Sequence, residues 1–329
     1  MTLKISSRIG ALGCLALSAT LCAMAPAAQA QAVPKTIRII VAYPAGGVSD
    51  VIARALGDRL ASQLGSTVVV ENRSGASGTI GMDAVAKATP DGATLGFSAI
   101  SPLVLNPHLS KSPFDPLKDI APVASVMYSP VLLLATPATG TRDFGTLLDD
   151  AKKRPGAIRW ATSGQASLGH IVLEQLRAAT KIDITHIPYK GGSQQLNDAV
   201  GGQFEILSTN AGPSVAAQIQ AGRLRPLAVG APTRLDTMPK VPTLAELGLP
   251  AANLTSLFGV FAPGATPSIL IEKYNVEINK ALASPEFRAK LLATDNVPTG
   301  GRVEAFADEI ASEYESNGRI VKSAGIKPD

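Results

Sequence analysis

Residues 37–64 read IRIIVAYPAGGVSDVIARALGDRLASQL, and the hydrophobic period of this stretch changes at a pair of glycines. Before the glycines, residues 37–43 form a short β-branched run that is typical of a buried strand. After them, apolar residues recur at helical spacing from Asp50 to Leu64, and Gly65 is a typical helix stop. A strand joined to a helix by a short turn is the first half of a βαβ unit, so the stretch predicts an α/β fold with a largely parallel sheet.

The same alternation continues along the chain. Further strands are predicted at 67–71, 94–98, 158–162, 184–188, 204–209, 224–230 and 254–261, and further helices at 79–87, 168–180, 192–200, 213–221, 267–283, 285–293 and 303–324. Two α/β halves followed by a mostly helical end predict two lobes, and one continuous sheet is the alternative. The predicted division gives residues 31–105 and 231–329 to lobe 1 and residues 106–230 to lobe 2, with the chain crossing twice, near 101–110 and 228–235.

The N-terminus has the features of a secretory signal peptide. Lys4 and Arg8 precede an apolar run from Ile9 to Met24, and Ala28-Gln29-Ala30 is a small-x-small cleavage site. The alternative, an uncleaved anchor, is disfavoured because a run of about 16 residues is shorter than the ~20 that span a bilayer. We therefore expect residues 1–30 to be removed and the mature protein to lie in the periplasm.

The composition excludes several classes of protein. The chain is 46% hydrophobic and 17% charged, which is typical of a globular protein rather than a disordered one. Both cysteines, Cys14 and Cys22, lie within the signal, so the mature chain has no disulfide, thiolate metal site or cysteine nucleophile. Removal of the signal lowers the net charge from +4 to +2, and the scattered cations do not favour nucleic acid or an anionic membrane as partner.

Two strand-to-helix turns are candidate anion sites, because ligands of open α/β sheets bind at the carboxyl ends of strands. We call them turn A, residues 43–50 (YPAGGVSD), and turn B, residues 162–170 (TSGQASLGH). Each combines glycine with a hydroxyl or carboxylate at a helix start, where free backbone N–H groups favour an anion. Neither turn contains Lys or Arg, so we expect backbone amides rather than a salt bridge to hold a small carboxylate. The alternative is that both are ordinary glycine-rich turns that bind nothing.

Enzymatic motifs are missing from the sequence. Residues 75–81 (GASGTIG) have the wrong glycine spacing for a dinucleotide site, and Lys190 precedes its neighbouring glycines instead of following them as in a phosphate-binding loop. His108, His170 and His186 are too scattered for a metal-binding helix, and no Gly-x-Ser-x-Gly motif is present. His170 could pair with Ser163 or Ser167, but spacing supplies no partner carboxylate, so we interpret it as a helix-start histidine. We therefore predict no catalytic residue, metal or cofactor.

Four motifs, in order along the chain, resemble the Bug family, the periplasmic substrate-binding proteins of tripartite tricarboxylate transporters. They are YPAGGVSD (43–50), VENRSGASGTIG (70–81), NPHL (106–109) and IPYKGG (187–192), and the resemblance covers essentially the whole mature chain. It implies a type II periplasmic-binding-protein fold, in which two α/β lobes close on a small organic acid or amino acid. The sequence departs from the family at residues 204–210 (FEILSTN), where a strand more often carries Asp at its second position.

Carried over position by position, the resemblance implies a set of ligand contacts. These are Tyr43, Ala45, Gly46 and Gly47 from lobe 1, Ser98 and Ser101 after the third strand, Thr162, Ser163, Gly164 and Ser167 from lobe 2, and Thr209 and Asn210 at the far end. It also implies a monomeric receptor that delivers its solute to a membrane permease without covalent chemistry. Two alternatives stay open: a receptor whose partner is a signalling sensor, and a periplasmic hydrolase or isomerase.

Overall fold

The computed structural model describes residues 32–323, and strands and helices alternate over most of this range, which confirms the α/β prediction. The prediction of a largely parallel sheet is wrong, because five of the nine strand pairings among these residues are antiparallel. The strands are β1 Thr36–Val41, β2 Thr67–Asn72, β3 Thr94–Ala99, β4 Ile120–Ala135, β5 Arg159–Thr162, β6 Thr185–Pro188, β7 Ile206–Asn210, β8 Arg225–Gly230, β9 Thr255–Pro263 and β10 Val297–Pro298. The helices are α1 Val48–Leu64, α2 Thr79–Ala86, α3 Ser101–Val104, α4 Asn106–Leu109, α5 Phe144–Lys153, α6 Leu168–Thr180, α7 Gly192–Val200, α8 Pro213–Gln220, α9 Ser268–Ala283, α10 Pro285–Leu292 and α11 Val303–Ser323. The predicted signal peptide, residues 1–30, lies outside the described residues.

The strands form two groups that share one long strand, β4. In lobe 1, β2, β1 and β3 are parallel, and β9, the first part of β4 and β10 continue the order antiparallel. In lobe 2, β6, β5 and β7 are parallel, followed by the last part of β4 and then β8. Because the parallel strands of each lobe start helices at their carboxyl ends, each lobe presents a row of strand-to-helix turns along one edge.

The chain passes between the lobes within β4. Pro130 is paired with Thr255 of β9 in lobe 1, whereas Val131 is paired with Asn210 of β7 and Gly230 of β8 in lobe 2. The change of partner therefore lies further along the chain than the predicted first crossing near residues 101–110. The prolines within β4 weaken its strand signal in the sequence, since proline cannot donate to a ladder.

The segment between β8 and β9 packs on the core that contains β5 and β7. Leu244, Leu249 and Ala252 are buried in the lobe 2 core, beyond the predicted crossing near 228–235, and lobe 1 pairing resumes at Thr255. The loop between β8 and β9 thus packs mainly on lobe 2.

Helices cover both faces of each sheet, so the strands are buried on both sides. In lobe 1, α1, α9 and α10 pack on one face and α2, α3 and α11 on the other. In lobe 2, α5 and α6 cover one face, where Trp160 is fully buried, and α7 and α8 cover the other. These double-sided cores hold the strand ends, and therefore the turns that follow them, in fixed positions. Within residues 32–323 no helix is long and apolar enough to cross a membrane.

Candidate ligand-binding site

A cavity of about 470 Å³ lies between the turns of the two lobes, and its lining comes from both. This volume is within the range of small-molecule pockets, roughly 300–1,000 Å³. Nine of the twelve predicted contact residues line it: Tyr43, Ala45, Gly46, Gly47, Ser101, Ser163, Ser167, Thr209 and Asn210. The other three, Ser98, Thr162 and Gly164, are buried and do not line it.

Turn A brings the N-terminus of α1, which has no side-chain cap, to the pocket. Gly46 adopts a left-handed φ of 81°, and its amide donates to Asp50 Oδ2 at 2.9 Å, which closes the turn. Burial raises the pKa of Asp50, but hydrogen bonds from Arg54 and the Gly46 amide outweigh it and keep that pKa below its ordinary value. Gly47 is the N-cap residue and offers no side-chain acceptor, so the first backbone N–H groups of α1 are free for a ligand.

Tyr43, the first residue of turn A, contributes a neutral hydroxyl. Burial raises the pKa of Tyr43 to about 12, with the nearby Ser98 side chain and Ala99 backbone acting in the opposite direction. The phenol therefore stays protonated, and its hydroxyl donates to the Ser77 carbonyl at 3.5 Å. Ser98 is fully buried against it, so its position supports Tyr43 rather than contacting a ligand.

Turn B is shaped by Thr162 and Gly164, two predicted contact residues that do not line the pocket. Thr162 is fully buried, and its hydroxyl donates to the Gly164 carbonyl at 3.0 Å. Ser167 caps α6 by accepting from the His170 amide at 3.4 Å, and both Ser163 and Ser167 line the pocket. Thr162 thus holds the turn whose serines face the cavity.

At the far end of the pocket, Asn210 is largely committed to the hinge between the lobes. Its side-chain amide donates to Ser256 Oγ at 2.9 Å and to the Ser129 carbonyl at 3.3 Å. Ser129 and Ser256 are paired residues of β4 and β9 in lobe 1, whereas Asn210 ends β7 in lobe 2. Asn210 therefore connects the lobes as well as lining the cavity.

Two further helix starts, outside turns A and B, also border the pocket. The N-cap residues of α7 and α8 are Gly191 and Gly212, neither of which offers a side-chain cap. Lining residues not predicted include Ser77, Gly192, Ser193, Asn197, Pro213, Ser214, Gln218, Arg223, Ser256 and Phe258. Counting α1 and α6, four helices of eight or more residues begin at this cavity. Each start is equivalent to about half a positive charge, so together they supply roughly +2.

Arg223 is the one charged residue among the described residues that line the pocket. It follows α8, is exposed, and its guanidinium forms no ion pair with any residue between 32 and 323. Arg223 therefore adds a cation to the lining of the cavity, which neither turn A nor turn B supplies.

Three serine hydroxyls form hydrogen bonds between the lobes around the pocket. Ser193 Oγ donates to the Ala45 carbonyl at 2.8 Å, and Ser214 Oγ donates to the Gly46 carbonyl at 3.2 Å. On the other side, the Ser77 hydroxyl donates to the Gln165 carbonyl. These bonds describe a closed arrangement in which turn A is held by α7 and α8.

Glycines of lobe 2 permit this close approach. A Cβ at Gly191 would collide with the ring of Pro44, and one at Gly164 would collide with Ser77 Oγ. At Gly212 a Cβ would lie 3.1 Å from the Cβ of Val48. The closed arrangement thus depends on residues without side chains at the points where the lobes meet.

A family model described as tripartite tricarboxylate transporter family receptor (TctC) matches residues 52–326. The chain belongs to this family. Among curated proteins it is similar to BugT of Bordetella pertussis, with 36% identity over 295 residues that cover 89% of this chain and 90% of BugT. The predicted membership of the Bug family is therefore confirmed, and the family is one of periplasmic receptors.

Solved structures that are similar to this chain share its fold. Rpa4515 of R. palustris with adipate has a TM-score of 0.84 and 30% identity, covering 89% of this chain and 98% of that one. MatC from Rhodopseudomonas palustris with bound malate has a TM-score of 0.82 and 27% identity, covering 87% and 98%. The type II periplasmic-binding-protein fold is confirmed, and so is the predicted function, a carboxylate-binding receptor of a tripartite tricarboxylate transporter.

Proposed function

We propose that the cavity between turns A and B binds a small dicarboxylate. The observation that carries this proposal is the convergence of four helix starts, because their combined partial charges balance roughly two carboxylates. The two turns found from the sequence balance about one, and by themselves favour a single carboxylate with a polar or aromatic remainder. The free guanidinium of Arg223 adds a donor that suits a second carboxylate.

The relatives support this choice of ligand class. Rpa4515 is described with adipate and MatC with malate, and both ligands are compact acids with two carboxyl groups. Both proteins align with this chain over nearly all of their length. Within the pocket, we assign the anion contacts to the predicted residues that line it and to the starts of α7 and α8. Ser98, Thr162 and Gly164 act by supporting those contacts.

We further propose that the lobes divide at the change of strand partners. Lobe 1 then comprises the described residues up to Pro130 and from Thr255, and lobe 2 comprises Val131 to Leu254. This replaces the division at residues 105 and 231 that the sequence favours. The two connections lie side by side, because Pro130 is paired with Thr255. Adjacent connections of this kind form a hinge about which the lobes open and close.

The receptor is proposed to act as a monomer in the periplasm, after removal of residues 1–30, and to deliver its solute to the permease of a tripartite transporter. We propose that it has no catalytic activity. His170 Nδ1 accepts from the Ala166 amide at 3.3 Å, so this nitrogen is not available as a base for Ser163 or Ser167. A signalling partner in place of the permease is distinguished by whether deletion of the permease genes abolishes uptake.

A thermal-shift screen tests the ligand class. Ligand-stripped protein is mixed with dicarboxylates, monocarboxylates, amino acids, neutral sugars and cationic amines, each at high concentration. A ligand present at 100 times its dissociation constant stabilises the native state by ~2.7 kcal/mol, which is readily measured as a higher melting temperature. We expect the largest shifts from dicarboxylates. If only sugars or amines stabilise the protein, the carboxylate assignment is wrong.

A further inference from the structure

Two histidines that do not line the pocket hold the backbone of turn B. His170, in the first turn of α6, and His186, on β6, stack with ring centroids 4.2 Å apart and an angle of 4° between the ring planes. His170 is 5% exposed, and His186 is partly buried. Each ring uses one nitrogen to bind a different end of the turn.

His186 acts on the beginning of turn B through Thr162. Its Nε2 lies 2.7 Å from Thr162 Oγ1, and the same hydroxyl donates to the Gly164 carbonyl. With the single hydrogen of the Thr162 hydroxyl directed at the Gly164 carbonyl, His186 Nε2 is the donor to Thr162 Oγ1. Burial, foremost, lowers the pKa of His186 to about 3, and the ring is therefore neutral at neutral pH.

His170 acts on the end of the turn. Its Nδ1 accepts the Ala166 amide hydrogen, while Nε2 faces Glu174 Oε1 at 3.6 Å. Glu174 is itself paired with Arg177, so the ring orientation is fixed from the far side. Ala166 has a left-handed φ of 56°, which is uncommon for a residue with a Cβ, and the bond to His170 compensates this conformation.

We propose that His170 and His186 are positioning residues for ligand binding, which hold the Gly164 carbonyl and the Ala166 amide so that Ser163 and Ser167 face the ligand. His170 is the more decisive of the two, since its acceptor nitrogen fixes the strained residue of the turn. The inference rests on the proposed function, because it concerns the same pocket.

Three single variants test the role of His170. His170→Asn keeps an acceptor, Oδ1, near the place of Nδ1 but loses the stacked ring. His170→Phe keeps a ring of similar size but loses the acceptor. His108→Phe is the matched control, because His108 is also a partly buried histidine, bonded to the Tyr314 carbonyl in lobe 1 and not among the residues that line the pocket. Affinity is measured by calorimetric titration with malate and with adipate.

The expected results separate positioning from packing. We expect His170→Phe to bind the probes at least tenfold more weakly than the unaltered protein, and His170→Asn to bind within about threefold of it despite a lower melting temperature. His108→Phe should leave affinity unchanged. Equal affinity in His170→Phe and the unaltered protein would overturn the proposal, and so would equal weakening in both His170 variants.

A ligand-free measurement keeps this test independent of the proposed ligand. Hydrogen–deuterium exchange of a peptide that covers turn B reports the Ala166 amide directly. We expect faster exchange in His170→Phe and nearly unaltered exchange in His170→Asn. If neither malate nor adipate binds the unaltered protein but this exchange pattern is found, the dicarboxylate proposal fails and the positioning role stands. If exchange in His170→Phe is unaltered, the positioning role fails.

Discussion

Replacing Gly191 by alanine should weaken carboxylate binding at least fivefold. Gly191 precedes α7 with φ of 145°, and an added Cβ would collide with the ring of Pro44 across the cleft. Overpacking of this kind costs about 1–3 kcal/mol in a contact that cannot relax. Because Gly191 and Pro44 belong to different lobes, the molecule can relieve the collision by staying open, and the lost free energy then appears as lost affinity.

Gly222→Ala is the control for this change. Gly222 also belongs to lobe 2 and has a positive φ of 68°, but no atom lies within 4 Å of the position that an added Cβ would take. The substitution should therefore lower the melting temperature through backbone strain and leave affinity nearly unaltered. Small-angle scattering at saturating ligand should show a more compact shape for the unaltered protein and for Gly222→Ala than for Gly191→Ala. Full affinity and full compaction in Gly191→Ala would show that the Pro44 contact does not limit closure.

Ser193→Asp should reduce the affinity for dicarboxylates without lowering the stability of the fold. Ser193 is in the first turn of α7 and lines the pocket, where its hydroxyl binds the Ala45 carbonyl. A carboxylate at a helix start is stabilising by about 0.3–1 kcal/mol. The same carboxylate would occupy the positive helix end that we assign to the ligand. Two like charges about 4 Å apart repel by about 1–4 kcal/mol. We expect dicarboxylate affinity to fall at least fivefold while the melting temperature rises or stays unchanged.

Ser193→Asn separates charge from size in this experiment. It also alters the hydroxyl contact with Ala45, but it adds no negative charge, so we expect a loss of less than fivefold. If Ser193→Asn and Ser193→Asp weaken binding equally, the start of α7 does not interact electrostatically with the ligand. Calorimetric titration and thermal unfolding of the same preparations provide both quantities.

The part of the site that could be predicted from sequence is the part that local patterns describe. Turn A is marked by a change of hydrophobic period at a glycine pair, and turn B by a glycine and hydroxyls between a strand and a helix. The starts of α7 and α8 carry similar marks, Gly191-Gly192 and Gly212-Pro213. Recognising that they face the same cavity requires the strand order, which places β6, β5 and β7 side by side in lobe 2.

Other features of the site depend on long-range contacts, which local sequence patterns do not indicate. Strand register decides whether the side chains of Ser98 and Thr162 face the cavity. Both are buried and neither lines it. Arg223 is in a loop after α8 with no motif around it, and only the fold brings it to the rim. The hinge in β4 is hidden in the sequence because Pro122 and Pro130 resemble strand breaks, although both lie within the strand.

The most direct test of the central claim, that two carboxylates are balanced by four helix starts, is a calorimetric comparison of a dicarboxylate with its own monomethyl ester. Adipate and monomethyl adipate have the same chain length and differ by one charge. We predict that ligand-stripped protein binds adipate at least tenfold more tightly than the ester, because a hydrogen bond to a charged group contributes roughly 1.5–3 kcal/mol. Equal affinity for the two, or tighter binding of the ester, would contradict the account.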